Sequence, residues 1–158
     1  MNPLEFPLPK KMKHHSYEQS VSFSTSVCDK IWDKLQRRET FAKGQIPPYQ
    51  VEFESGENTG EFKEGELNIH HGPLLSAHGI IGEVTSNYRD LKYSYGSYVI
   101  TFRLVRPVRL EFFRKENTIT LKFSCQVRNW FAPIWHFFSL IFWGQFAINL
   151  KLISLFYR

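Results

Sequence analysis

The chain is poor in cysteine. Its 158 residues include two, Cys28 and Cys125, on different predicted elements and without metal-ligand spacing. Two thiols make no disulfide framework, so a reduced, cytoplasmic setting is expected. The first residues, Met1-Asn2-Pro3-Leu4-Glu5-Phe6, lack a basic segment followed by an apolar run, and no signal peptide is expected. Gly-x-Gly-x-x-Gly, a P-loop and a nucleophile elbow are all absent. The usual dinucleotide, nucleotide and serine-hydrolase sites are therefore not expected. Internal repeats and low-complexity tracts are missing too.

Formal charge is missing from one stretch. Between Arg128 and Lys151 no residue is charged if His136 is neutral. The run Trp130-Phe131-Ala132-Pro133-Ile134-Trp135-His136-Phe137-Phe138 continues through Phe142-Trp143-Gly144-Gln145-Phe146. Its length suits a helix, with Pro133 in the first turn, where a missing N–H costs little. A helix apolar all round must be buried on nearly every side. It has three possible burials: a soluble core or cavity, a subunit interface, or a bilayer. At about 1.5 Å per residue the run reaches roughly 30 Å, enough for a C-terminal tail anchor through 129–150. Pro133, His136, Gly144, Gln145 and Asn149 weaken that third reading.

What the chain does have is aromatic bulk. Aromatic residues make up 16% and Phe alone numbers 15, a load suited to a large core or the wall of an apolar pocket. The length fits one domain. Net charge is +5, with much of the excess in Lys10, Lys11 and Lys13 and in Arg103, Arg106, Arg109 and Arg114. No nucleic-acid motif accompanies it, so nucleic acid is not an expected partner, whereas attraction to an anionic membrane surface is permitted. The sequence leaves the oligomeric state open.

Residues 1–15 read as an irregular N-terminal extension, because Pro3, Pro7 and Pro9 oppose regular structure. The domain then runs from 16 to 158. Tyr17, Val21 and Phe23 alternate with polar residues, which predicts a strand. Ser26-Val27-Cys28-Asp29 has the form of a capping box, and Val27, Ile31, Trp32 and Leu35 recur at helical spacing. A second short helical turn is expected over Thr40–Lys43. From Tyr49 to Val127 alternation and turn clusters predict an antiparallel meander of about six strands. Glycines 79 and 82 suggest a bulge, Gly96-Ser97 a two-residue hairpin, and Pro107 an interruption. The clearest strand is Thr118–Val127, with Ile119, Leu121, Phe123, Cys125 and Val127 on one face.

The segment Ser24-Thr25-Ser26, then Val27-Cys28-Asp29-Lys30-Ile31-Trp32-Asp33-Lys34-Leu35, resembles the opening of the START-like, or SRPBCC, superfamily. Members begin with a strand, a small polar turn and a helix carrying a Val-Trp-x-x-Leu-like segment. Here Ile31 to Leu35 fills that place. The resemblance covers residues 24–35 at motif level and about 16–155 in layout. It implies an α+β helix-grip fold: a curved antiparallel sheet wrapped around a long C-terminal helix, with two short helices after the first strand. It also implies a cavity between sheet and helix for a hydrophobic small molecule or lipid. Some members are cyclases or dehydratases, but no shared catalytic set carries over. The proline-rich lead-in and the heavily aromatic terminal helix depart from the family pattern.

On that reading Trp135, Phe138, Phe142, Trp143 and Phe146 line the cavity from the helix, and Tyr93, Tyr95 and Phe123 face them from the sheet. His70 and His136 are the polar candidates inside, with Glu66 and Tyr93 as further acid or base groups for an enzymatic alternative. His70 and His78 are candidates to share a site across neighbouring strands, whereas His14-His15 reads as exposed; no metal or cofactor is implied. Arg89 and Asp90 suggest a local ion pair, and Arg103, Arg106, Arg109 and Glu111 a solvent face.

Overall fold

The computed structural model describes residues 11–42, 50–72, 75–98 and 104–157. Tyr49, Arg103 and the Tyr95 side chain lie outside the described residues. Strand β1 (Met12–Ser22) is followed by helices α1 (Thr25–Leu35) and α2 (Arg38–Ala42). Strands β2 (Gln50–Phe53), β3 (Leu67–Gly72), β4 (Leu75–Val84), β5 (Tyr88–Tyr98), β6 (Val105–Lys115) and β7 (Thr118–Arg128) follow in a meander. Helix α3 (Ala132–Ser154) ends in a 3-10 turn, Leu155–Tyr157. The sheet has seven strands in the order β1-β7-β6-β5-β4-β3-β2, every neighbouring pair antiparallel.

The alternation of β7 explains why the core forms there. Ile119, Leu121, Phe123, Cys125 and Val127 are all buried on the face towards α3. Tyr17 and Val21 of β1 share that face through the pairs Tyr17–Phe123 and Val21–Ile119. On the opposite face hydroxyls pair across the strands, Ser20 with Thr120 at 2.9 Å and Ser22 with Thr118 at 2.9 Å. Glu116 turns β6 into β7 with a φ of 53°.

Several local expectations change. The lead-in is not irregular to residue 15, because β1 already pairs from Met12 with Arg128. His14 and His15 are therefore strand residues. Helix α1 starts at Thr25, with Ser24 as N-cap, and no side chain caps it. The second helix begins at Arg38, two residues before the expected start. Gly96-Ser97 is not a hairpin: both residues are inside β5, opposite Ala77 and Ser76. A two-residue turn signal has no force where the strand is held by a partner on β4. Pro107 does not end its strand either, but sits at a register shift against β7 between Pro107 and Arg109. The β4–β5 ladder shifts beside Gly79 and between Ile81 and Val84, around Gly82, as the glycines suggested.

The largest correction concerns α3. Its buried residues are Ser139, Trp143, Phe146, Leu150 and Ser154, one stripe spaced by three or four. Ile134, Phe137, Phe138, Ile141, Ile148 and Leu152 are exposed. At about 3.6 residues per turn the two stripes fall on opposite sides of the helix. The helix is apolar all round, yet the sheet buries one side of it. Ala132–Tyr157 is also long and apolar enough to cross a membrane, by length and composition alone.

Candidate functional site

The concave face of the sheet brings together residues from five strands. Arg89, Leu91 and Tyr93 alternate along β5 and point inwards, in register with Phe112 and Leu110 of β6. Asn68 and His70 of β3 lie opposite Phe53 and Val51 of β2. Phe41 of α2 and Phe62 of the β2–β3 connection close over them. Trp143 and Phe146 come down from α3. Ring contacts join the parts: Phe112 to Phe146 at 5.9 Å, Phe123 to Trp143 at 5.0 Å and Tyr93 to Phe123 at 6.3 Å.

Polar groups are set into this apolar wall. The Arg89 side chain is buried, with its guanidinium carbon 3.9 Å from the centre of the Phe62 ring, 4.6 Å from Phe112 and 5.3 Å from Phe41. Its Nη2 donates to the Leu35 carbonyl at 3.1 Å. Its Nε has no hydrogen-bond partner among the described residues, and neither polar atom of the buried Asn68 side chain has one. Burial pushes the guanidinium down to about 9, with the Asp90 charge pulling the other way. It therefore stays charged at neutral pH.

His70 stands beside it. Burial first, then the positive charge of Arg89, lowers its pKa to about 3, so the imidazole is neutral at physiological pH. Its ring meets Tyr93 edge-on at 5.7 Å, and Tyr93 Oη lies 3.4 Å from His70 Nδ1. Arg89, His70, Phe41, Val51, Phe62, Leu110 and Phe112 bound a void of about 10 Å³, room for about one water molecule.

The other buried arginine shows what Arg89 lacks. Arg38 is paired with Glu66 at 2.8 Å and Glu57 at 3.5 Å. It donates to the Glu61 and Glu57 carbonyls at 2.9 and 3.0 Å. Glu66 is thus committed to Arg38 and is not an interior acid. The expected Arg89–Asp90 pair does not form, because adjacent strand residues point to opposite faces. Asp90 is buried on the convex side, where Arg109 Nε donates to it at 2.6 Å and the Glu83 N–H at 2.7 Å. Arg109 is accordingly a partner of Asp90 and not simply a solvent-face cation.

Among the cavity candidates, Tyr93, Phe123, Trp143 and Phe146 are buried in this interior, and His70 borders its void. Trp135 and Phe142 are half-buried on the flanks of α3 and pack against the core. Phe138 is 60% exposed and belongs to the outer stripe, and His136 is exposed. Phe138 is therefore not a cavity residue, since helical spacing turns it away from the sheet. His136 instead lies at the helix edge with its ring 5.6 Å from Tyr17. His70 and His78 point to opposite faces, because His78 pairs with Ile69 and His70 with Ala77. Among the described residues no group of three or more His, Cys, Asp or Glu is placed to hold a metal ion. Sequence reasoning missed Arg89 as an interior residue, along with Asn68, Phe41, Phe62 and Phe112. The alternation Arg89-x-Leu91-x-Tyr93 was the available signal.

A seven-stranded antiparallel sheet closed by a long C-terminal helix is the helix-grip fold of START-like proteins. Solved structures share it. The major latex-like protein 151 of Panax ginseng superposes with a TM-score of 0.62 at 14% identity, over 92% of this chain and 98% of that one. Norcoclaurine synthase of Thalictrum flavum, solved with dopamine and hydroxybenzaldehyde, gives 0.58 at 12% identity, over 94% and 90%. A hypothetical protein of Helicobacter pylori gives 0.62 at 11% identity, over 98% and 97%. No family model and no curated protein matches the chain. At these identities the likeness is one of fold.

Proposed function

We propose that the protein binds a hydrophobic small molecule or lipid bearing an acidic group, held between the concave sheet and α3. The observation that carries this reading is Arg89: a buried cation with no carboxylate partner among the described residues and an unused N–H. A buried charge without a counter-ion is costly, and an anion supplied by a ligand removes that cost. Asn68, also unpartnered, and Tyr93 stand ready to orient the same head group. The apolar body of the ligand would gain roughly 25 cal/mol per Å² removed from water. Because the void is near the size of a water, binding on this reading expands the interior by shifting aromatic side chains. Norcoclaurine synthase, with small aromatic molecules bound in the same fold, supports such occupancy.

The cyclase or dehydratase alternative would need His70 as its base. A group whose conjugate acid has a pKa of about 3 is a weak base at neutral pH. It suits a neutral hydrogen-bonding contact with a ligand better than proton abstraction.

Calorimetric titration with decanoate and with decanol tests the reading. Decanoate is expected to bind about tenfold or more tightly than decanol, the size of a charge-assisted hydrogen bond. Arg89→Met should abolish the difference. Equal binding of the two, or no binding of either, overturns the assignment. Native mass spectrometry of protein prepared without detergent adds the identity of any ligand carried from the host.

A further inference from the structure

The outer stripe of α3 is apolar where a surface in water is normally polar. Ile134, Phe137, Phe138, Ile141, Ile148 and Leu152 range from 47% to 61% exposed. Phe137 and Phe138 are adjacent, and the other steps along the helix are three, four or seven, interrupted by Gln145. From Ile134 to Leu152 the stripe extends over about 27 Å. Such a contiguous face marks an interaction surface.

Basic side chains flank it at both ends. No acidic residue follows Glu116 in the chain. Lys13 is exposed on β1 and has the parity of Tyr17, whose ring faces His136. It therefore stands on the helix side of the sheet, by the N-terminal half of α3. Lys151 is exposed in the last turns, and Lys30 of α1 has its Nζ 5.8 Å from the centre of the Tyr157 ring. At that end the stripe opens into a groove of about 830 Å³. Its walls carry Ser24, Ser26 and Lys151 beside Ile148 and Leu152. Hydroxyl and ammonium groups next to apolar side chains match the chemistry met on passing from lipid head groups to acyl chains.

We propose that this face docks on an anionic lipid bilayer, with α3 lying in the plane of the interface and its inner stripe still packed on the sheet. Apolar area and basic flanks act together in such docking. A second copy of the chain fits less well. Pairing α3 with its equivalent in antiparallel sense sets the Lys13 end of one copy on the Lys151 end of the other. Parallel pairing sets each basic end on itself. Like charges meet either way. Crossing the bilayer fits less well too, because Trp143, Phe146 and Leu150 belong to the core, and pulling the helix out would uncover their partners on the sheet.

The test uses the full chain prepared without detergent and vesicles of phosphatidylcholine with and without phosphatidylserine. The protein is expected to sediment with the phosphatidylserine vesicles and to be released by alkaline carbonate. The variant Phe137→Ser/Phe138→Ser/Ile141→Ser alters only exposed positions. It should keep the melting profile and lose about tenfold or more of its vesicle partitioning. Lys13→Glu/Lys151→Glu should abolish the preference for phosphatidylserine. Protein that stays in the supernatant with both vesicles overturns the proposal. So does a dimer that the serine variant converts to monomer without any vesicle binding. Carbonate-resistant insertion, or a chain recovered only in detergent and inserted in that way, overturns it in favour of a spanning helix.

Discussion

The Arg89 guanidinium is stacked 3.9 Å from the centre of the Phe62 ring, and Phe112 and Phe41 complete an aromatic enclosure around it. Taking a cation out of water costs several kcal/mol. The bond to the Leu35 carbonyl returns about 1.5–3 kcal/mol, and each desolvated cation–π contact about 2 kcal/mol. These opposing effects are of similar size. Arg89→Met is therefore expected to change unfolding free energy by less than about 1.5 kcal/mol, measured by urea denaturation. A loss above about 3 kcal/mol would show that Arg89 holds the fold together instead of awaiting an anion.

His70 makes stability depend on pH. Its folded pKa, about 3, lies below the ordinary 6.5. Between those values the unfolded chain binds a proton that the folded chain refuses. The stabilisation is therefore complete above about pH 6.5 and is lost as pH falls towards 3, with a slope of up to about 1.4 kcal/mol per pH unit. His15, lowered by burial and by His136, adds in the same direction. Denaturation at pH 7 and pH 5 should show His70→Asn losing less stability on acidification than the unmodified protein. Parallel curves would contradict the neutral imidazole.

Asp90 and Gly82 form a second testable unit. A Cβ on Gly82 would come within 2.1 Å of Asp90 Oδ1, the atom that accepts the Glu83 N–H. Gly82→Ala should push the carboxylate away from both of its partners. Asp90→Ala should cost about 3 kcal/mol, since it leaves the Glu83 N–H without its acceptor and takes the buried carboxylate from Arg109, which keeps only Tyr88 and Glu111. The full value for a buried pair is reduced because Arg109 is one-third exposed. Gly82→Ala should add little once Asp90 is Ala, giving a coupling of about 1 kcal/mol or more in a double-mutant cycle. Simple additivity would argue that the two positions do not meet.

The two sides of α3 should respond differently to substitution. Phe146→Ala removes a side chain packed on Phe112 and is expected to cost about 3–5 kcal/mol. Phe138→Ser, on the exposed stripe, should stay within about 0.5 kcal/mol. Chemical denaturation of both variants measures the contrast. Equal losses would mean that the outer stripe is covered in the isolated protein.

The sequence by itself determined the succession of elements. Local periodicity is a property of the chain, so the period-two run from Ile119 to Val127 read as a buried-face strand, and Val27, Ile31, Trp32 and Leu35 read as a helix. The segment from Ser24 to Leu35 and the long terminal helix were enough to suggest the helix-grip layout, which the solved structures share. The interior residues Tyr93, Phe123, Trp143 and Phe146 were legible because strand parity and helix spacing show which side chains travel together. Tertiary structure alone decided which stripe of α3 faces the sheet. Both stripes are apolar, so composition has no preference between Phe138 and Phe146, and only the surface made by β1, β6 and β7 chooses. It also decided the partners of the charges. Proximity in sequence paired Arg89 with Asp90, but the pleat sends them to opposite faces. Asp90 therefore meets Arg109 from the next strand, and Arg89 is left among phenylalanines.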